Sequence, residues 1–283
     1  MLTRQKILLT LLQTAERPVS RIELTKWAFV LRHESQSKGG SSFYDFLPFH
    51  YGPFSFALYH EIEKLEQQGY VSQSDQSHWA VGRVVAPNLE PALKQEAAGV
   101  ARRLMKKNVD SLMDEIYERH PEFTVNSKRR QLIKRKVAAP AVYTSGYEGA
   151  SIDGFLNRLV TAGIKQLIDV RRNPIARRYG FHRSTLKRLC ESLDIAYSHL
   201  PELGIESEMR QSLDTQDDYE KLFRYYREST LVSEELAVER VTNLVKETPS
   251  VLVCMEAQPK CCHRSHLATV VSKRTRLKVD HLI

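Results

Sequence analysis

The sequence predicts an α/β fold: a mostly parallel sheet with helices on both faces, preceded by a winged helix-turn-helix domain and a helical connector. Three observations predict it. From Ala141 onward short apolar runs alternate with amphipathic segments, the pattern of strand–helix units in a parallel sheet. The first 88 residues read instead as helix, turn, helix, third helix and short hairpin, the element order of a winged helix. Between them, residues 89–138 carry 12 Lys and Arg against 7 Asp and Glu, most of the excess in a chain of net charge +8. The expected domains are therefore 1–88, 89–138 and 139–283.

Length and a 42% hydrophobic content suffice for two cores. No window approaches the about eighteen continuous apolar residues of a membrane span, and MLTRQKILLT lacks a signal-peptide core, so a cytoplasmic location with no membrane partner is expected. Four cysteines, two of them adjacent, do not resemble an extracellular disulfide framework, and reduced thiols follow. The positive charge favours a polyanionic partner, nucleic acid or nucleotide.

In the N-terminal segment, Ile7, Leu8, Leu9, Leu11 and Leu12 mark a helix, and Pro18, Val19 and Ser20 supply the turn and cap of a second starting near Arg21. Leu58, Ile62 and Leu65 mark a third, stopped by Gly69. Tyr70–Ser72 and Trp79–Val81 can pair as a hairpin. The phrase FLPFHYGPFSFALYHEIEKLEQQGYV resembles the winged-helix domain of the Panacea and SocA type, found in bacterial antitoxins and related phage-defence proteins. That resemblance spans roughly residues 4–84 and implies a DNA- or protein-binding role. The third helix offers only Lys64, His60 and two glutamines against three glutamates, a poor groove-reading surface.

Leu93, Ala97, Val100, Leu104, Leu112 and Ile116 form the apolar stripe of one or two connector helices, suited to joining domains or to a homodimer interface. After them SKRRQLIKRK presents Lys128, Arg129, Arg130, Lys134 and Arg135, read either as a nucleic-acid contact or as a solvated linker.

In the C-terminal segment strands are expected at Ala141–Thr144, Ile164–Val170, Ile195–Leu200, Ser250–Cys254 and Leu277–Leu282. Helices are expected at Ile152–Ala162, Ser184–Leu193 and His263–Lys273. Ligands of open parallel sheets bind beyond the carboxyl ends of the strands, where the chemically distinctive residues fall: Tyr147 and Glu148 after the first strand, Arg171 and Arg172 after the second, His199 at the third, and Cys254, Glu256, Cys262, His263 and Arg264 after the fourth. The motifs SGYEG, DVRRNP, GFHRSTL, HLPELG and CMEAQPKCCHR are similar to the family called domain of unknown function 488, over nearly all of residues 141–282. The resemblance implies a Rossmann-like domain with a polar pocket at Cys254, Glu256, Cys262, His263 and Arg264, without assigning a reaction.

Val170–Cys190 holds Arg171, Arg172, Arg177, Arg178, Arg183, Lys187 and Arg188 and no acidic residue, which favours a phosphate-bearing ligand. Arg171, Arg172 and Arg264, with Tyr147 and His199, are the expected ligand contacts. The alternative is pairing of these arginines with the acidic segment containing Glu206, Glu208, Asp214, Asp217 and Asp218. A thiol at a helix N-terminus near arginine acquires a lowered pKa, so Cys262 is the expected nucleophile, with Glu148, Glu256 and His263 as acid or base. No G-x-S-x-G, Walker or G-x-G-x-x-G motif is present. No cofactor is expected. A metal ion on Cys254, Glu256, Cys262 and His263 ranks lower, because C-x₇-C-H lacks the tight pairs of structural zinc sites. The function this supports is binding and processing of a nucleotide or nucleic-acid phosphate group, by hydrolysis or transfer. Its rival is a non-enzymatic sensor that detects a small ligand or modified nucleic acid in the same pocket.

Overall fold

Ile7, Leu8, Leu11 and Leu12 are all fully or almost fully buried, so the first helix is enclosed on most of its circumference and other elements assemble around it. The computed structural model describes residues 1–210 and 215–283. The chain divides into two compact units, Met1–Lys134 and Arg135–Ile283.

In the first unit, α1 (Thr3–Ala15) is followed by β1 (Val19–Ser20) and α2 (Arg21–Glu34). Ser20 starts α2 with a capping box: its hydroxyl accepts the Glu23 N–H while the Glu23 carboxylate accepts the Ser20 N–H. Next come the antiparallel pair β2 (Leu47–Phe49) and β3 (Gly52–Phe54), then α3 (Phe56–Gln67), whose first turn is capped by Ser55. Gly69, at φ 78°, lets the chain leave that helix through the left-handed region. It enters β4 (Val71–Asp75) and β5 (His78–Val81), and β5 also pairs with β1.

The connector does not stand apart. Its helices α4 (Pro91–Leu104) and α5 (Val109–Arg119) bury Ala97, Ala101, Leu104, Leu112 and Ile116 in the same core as α1–α3. An amphipathic stripe of this length needs an apolar partner, and α1 and α2 supply one within the unit. The division accordingly falls after Lys134, inside the basic run.

The second unit contains, among the described residues, a five-stranded parallel sheet. In chain order it runs β6 (Val142–Gly146), α6 (Ile152–Ala162), β7 (Gln166–Asp169), α7 (Arg183–Glu191) and β8 (Ala196–His199). It continues with α8 (Gln216–Tyr225), α9 (Leu231–Ser233), α10 (Glu235–Glu247), β9 (Ser250–Cys254), α11 (His263–Thr275) and β10 (Val279–Leu282). The five strands and α6, α7 and α11 are those the alternating pattern predicts, with ends moved by a few residues. The spatial order is β10-β6-β9-β7-β8, all neighbours parallel. The chain steps outward from β6 to β7 and β8 and then returns through β9 to β10, with α10 and α11 packed on one face. Val142, Ile168, Leu252 and Cys254 face α10 and α11, sharing a core with Val238, Val241, Leu267 and Val271. Among the described residues no helix is long and apolar enough to cross a membrane.

One polar residue in the first unit has a measurable consequence. Burial lowers the Lys26 pKa to about 7, whereas the unfolded chain keeps that proton up to the ordinary lysine value of 10.5. Between these values the unfolded state binds more protons, so this group makes the unit more stable as pH rises. Trp27 and Trp79, the only two tryptophans, both lie in this unit and report its unfolding. Lys26→Met is expected to raise the tryptophan-detected unfolding midpoint at pH 7. Its advantage over the parent should shrink by roughly 1–2 kcal/mol between pH 7 and 8.5, from about 1.36 kcal/mol per unit of proton uptake. An advantage independent of pH would contradict the burial argument.

Candidate functional site

The strand register brings the site together. Gly146 at the end of β6 pairs with Cys254 at the end of β9, Val253 pairs with Asp169 on β7, and Asp169 pairs with His199 on β8. Four carboxyl ends therefore open on one edge, with β9 central.

The loop after β6 and the loop after β9 are joined. The Tyr147 and Glu148 N–H groups both donate to the Met255 carbonyl, and Glu148 Oε2 accepts the Ala257 N–H at 3.0 Å. A Cβ on Gly146 would stand 1.9 Å from the Glu256 carbonyl oxygen, so this approach admits only glycine. Arg264 closes the loop from beneath: it is 1% exposed and donates through Nη1 to Glu256 O and through Nη2 to Ala257 O.

On the opposite side of β9 an ion pair is buried. Arg171 Nε donates to Asp169 Oδ1 at 2.8 Å and Nη2 to Oδ2 at 2.5 Å, a forked pair with Asp169 fully buried. Arg171 Nη1 donates to the Tyr147 hydroxyl and to Phe181 O, while Tyr197 donates its hydroxyl to Asp169 Oδ2 at 2.7 Å. Tyr147 stacks on Phe181 at 4.2 Å, and His199 Nε2 lies 2.9 Å from the Arg171 carbonyl. Burial and the adjoining Asp169 push the Tyr197 phenol far up, and hydrogen bonding to Asp169 holds the Arg171 proton more firmly against burial.

Cys254, Cys262 and His263 place two Sγ atoms and Nδ1 within 4.8 Å of one another, a group that could hold a metal ion. His263 Nε2 lies 3.1 Å from the Val170 carbonyl, which requires a proton on Nε2 and turns Nδ1 toward the thiols. Cys254 Sγ is 3.8 Å from that Nδ1 and 3.0 Å from Glu256 Oε2. The hydrogen bond from the Cys262 thiol holds Cys254 well below the ordinary thiol range against burial, with His263 assisting. Burial pushes Cys262 well up, and burial together with the neighbouring Cys254 raises Glu256. The sequence argument favoured Cys262 as the low-pKa thiol; the geometry assigns that character to Cys254, because Cys262 is the donor of the pair. A cavity of about 110 Å³ opens over Cys254, bordered by Tyr147, Arg171, Arg172, Asn173 and Met255. A second, of about 60 Å³, is bordered by Glu256, Cys261, His263 and Phe223.

The thiol pair and the loop after β9 lie in a segment that is similar to a known family. Residues 151–271 match the family described as Domain of unknown function DUF488. The DUF488 segment contains Arg171, Arg172, His199, Cys254 and the 256–264 loop, while Tyr147 and Glu148 precede it. No curated protein and no solved structure matches the chain.

Two expected ligand contacts are otherwise engaged. Arg171 is 5% exposed and bonded to Asp169, Tyr147 and Phe181, and Arg264 gives both terminal nitrogens to loop carbonyls, its buried Nε having no partner among the described residues. Both are framework residues, since a buried guanidinium must find acceptors inside the protein. Arg172 remains at the rim, paired with Glu206 at 2.5 Å as the acidic-segment alternative anticipated. Asp214 lies outside the described residues. Of the basic run, Arg129 pairs with Asp110 and Asp114, and Arg135 donates to Leu193 O and Ile164 O. Lys128, Arg130 and Lys134 are exposed. Asp169, Phe181, Tyr197 and Arg158, whose Nη1 donates to Ser145 Oγ and Gly146 O, were not picked as site residues. For Asp169 a signal exists, since opposite charges at i and i+2 of an extended segment share a face.

Two outcomes follow from this geometry. Arg171→Met strands a buried carboxylate and is expected to cost the second unit about 3–5 kcal/mol, read by denaturant unfolding in far-ultraviolet circular dichroism. In metal-free protein, alkylation of Cys254 followed by peptide mass spectrometry should titrate well below the usual thiol range near 9. Cys262→Ala should move that titration upward; no movement would remove the assigned hydrogen bond.

Proposed function

We propose that this chain is a nucleic-acid-associated protein whose α/β unit binds and processes a nucleotide or nucleic-acid phosphate group, by hydrolysis or group transfer. The supporting observation is the meeting, at one sheet edge, of the Cys254–Glu256–Cys262–His263 cluster with a cavity whose rim carries Arg172. Arg177 and Arg178 on the loop that follows β7, and Arg183 at the start of α7, are exposed and have no ion-pair partner among the described residues. With Arg171 and Arg264 committed to the framework, phosphate contact falls to Arg172 and these neighbours. The Arg172–Glu206 pair is about half exposed on each side, and such pairs contribute little, so phosphate oxygens can replace the carboxylate. Cys254 borders the cavity and is placed as nucleophile, with His263 and Glu256 in proton transfer.

The first unit, with its order α1, α2, α3 and the β4–β5 hairpin, is the docking module in this reading, a winged helix of the antitoxin-like type in a toxin–antitoxin or phage-defence setting. Its α3 is poorly suited to groove reading, so phosphate-backbone contact is assigned to exposed Lys128, Arg130 and Lys134. Binding should therefore fall steeply with salt.

A second reading is favoured by the His263 geometry. A histidine that gives one ring N–H to a backbone carbonyl and turns the other nitrogen toward two thiols has the outer-shell arrangement of a metal ligand. Cys254, Cys262 and His263 would then hold a zinc-like ion with Glu256 adjacent, and the chemistry supplied would be activation of water or polarisation of a phosphoryl oxygen.

Incubation of the purified chain with single- and double-stranded DNA, RNA and nucleotides, with products resolved by mass spectrometry, tests the reading. Product formation is expected, lost at least 100-fold in Cys254→Ala and weakened chiefly in KM by Arg172→Ala. Absence of product from every substrate together with unchanged nucleotide binding by Arg172→Ala would sink it. Stoichiometric metal in the parent, absent from a Cys262→Ala, His263→Ala variant, would select the metal reading.

A further inference from the structure

A cavity in the first unit has no part in the reading above. It measures about 140 Å³ and lies between α2 and the β2–β3 hairpin, with Phe49, Phe54, Tyr59 and Ile22 on its walls. Phe54 lies 4.9 Å from Phe49 and 4.5 Å from Tyr59, ring centre to ring centre. Its lining also includes Lys26, 3% exposed, whose Nζ donates to the Pro53 carbonyl at 2.8 Å.

That lysine is an anomaly for a hydrophobic wall. Among the described residues no carboxylate pairs with it, and one carbonyl satisfies only one of its three donors. The turn that supplies the carbonyl is fixed, because Gly52 has φ 82° and a Cβ there would stand 2.5 Å from the Tyr117 ring. A methionine would fill the same space without the cost of a desolvated amine. An anion delivered with a flat apolar body would supply both the missing charge and the missing ring contacts.

We infer that this cavity is a binding site for a small aromatic carboxylate, its ring against Phe54 and Tyr59 and its carboxylate on Lys26 Nζ. Size supports one ring: cavities of about 150 Å³ lined by apolar side chains accept benzene. A nucleotide is too large, and a phosphate dianion is poorly matched to walls on which Phe49, Phe54 and Tyr59 stand beside Lys26 and His50. The Tyr59 hydroxyl, 3.5 Å from Thr25 Oγ1, is the second polar atom near the carboxylate.

The probe is benzoate, titrated into the full chain by calorimetry and by tryptophan emission, since Trp79 packs edge-on 5.3 Å from Tyr59. Saturable one-to-one binding is expected, at least tenfold weaker for the neutral analogue benzyl alcohol and at least tenfold weaker in Lys26→Met. The benzyl alcohol comparison uses the parent protein and so does not depend on a variant's folding, while the tryptophan unfolding transition verifies that Lys26→Met is folded. Cys254→Ala should bind benzoate as the parent does, which separates this site from the α/β pocket. No saturable benzoate binding by the parent, or equal affinity for benzoate and benzyl alcohol, would overturn the assignment.

Discussion

The buried pair of Asp169 and Arg171 is the constraint on which the α/β unit's functional edge depends. A carboxylate with no solvent exposure and a guanidinium nearly as deep can coexist only if every strong hydrogen bond is placed, and here the partners come from four separate segments. Asp169 ends β7, Tyr147 follows β6, Phe181 precedes α7 and Tyr197 belongs to β8. Satisfying one ion pair thereby sets the positions of three loops. Arg172, the next residue, is directed to the rim because its neighbour is anchored, and His199 is held by the Arg171 carbonyl.

On the other side of β9 the same logic applies to thiols. Strand alternation turns Cys254 toward α11, where Cys262 and His263 begin the helix. Two buried thiols beside one imidazole cannot share a single protonation state evenly, and the donor–acceptor order between them decides which is the thiolate. The tie from His263 to Val170 orients the ring, and the two Arg264 hydrogen bonds hold the carbonyls of the loop that spans the pair. Arginine here does the work of a strut: charge placed in the interior to organise backbone, with no solvent-facing surface to offer a ligand.

Much of the fold was legible in the sequence. Strands such as Ser250–Cys254 and helices such as Ile152–Ala162 follow from apolar periodicity bounded by turn residues, and the loops carrying Tyr147, Arg171, His199 and Cys254 do lie at one edge. What was not legible depends on depth and direction. A run of arginines reads as a phosphate site because sequence shows residue type and not burial. Arg171 and Arg264 differ from Arg172 only in how much of the fold covers them. Likewise, position at a helix start suggested Cys262 as the reactive thiol, whereas the direction of one hydrogen bond favours Cys254. The connector's stripe was visible in Ala97 and Leu112, but its partner α1 lies some ninety residues earlier, beyond any local pattern.

The place of β9 in the sheet has a consequence for how the unit is made. The first three strands in sequence cannot form a continuous sheet, because β6 and β7 are separated by a gap that only residues 250–254 fill. Until about fifty residues more have been synthesised and folded back, the β6 and β7 edges that β9 will fill lack that partner, and long-range closure of this kind is slow. The residue that completes the gap at its open end is Cys254. Assembly of the sheet and arrival of the thiol at the pocket are thus one event.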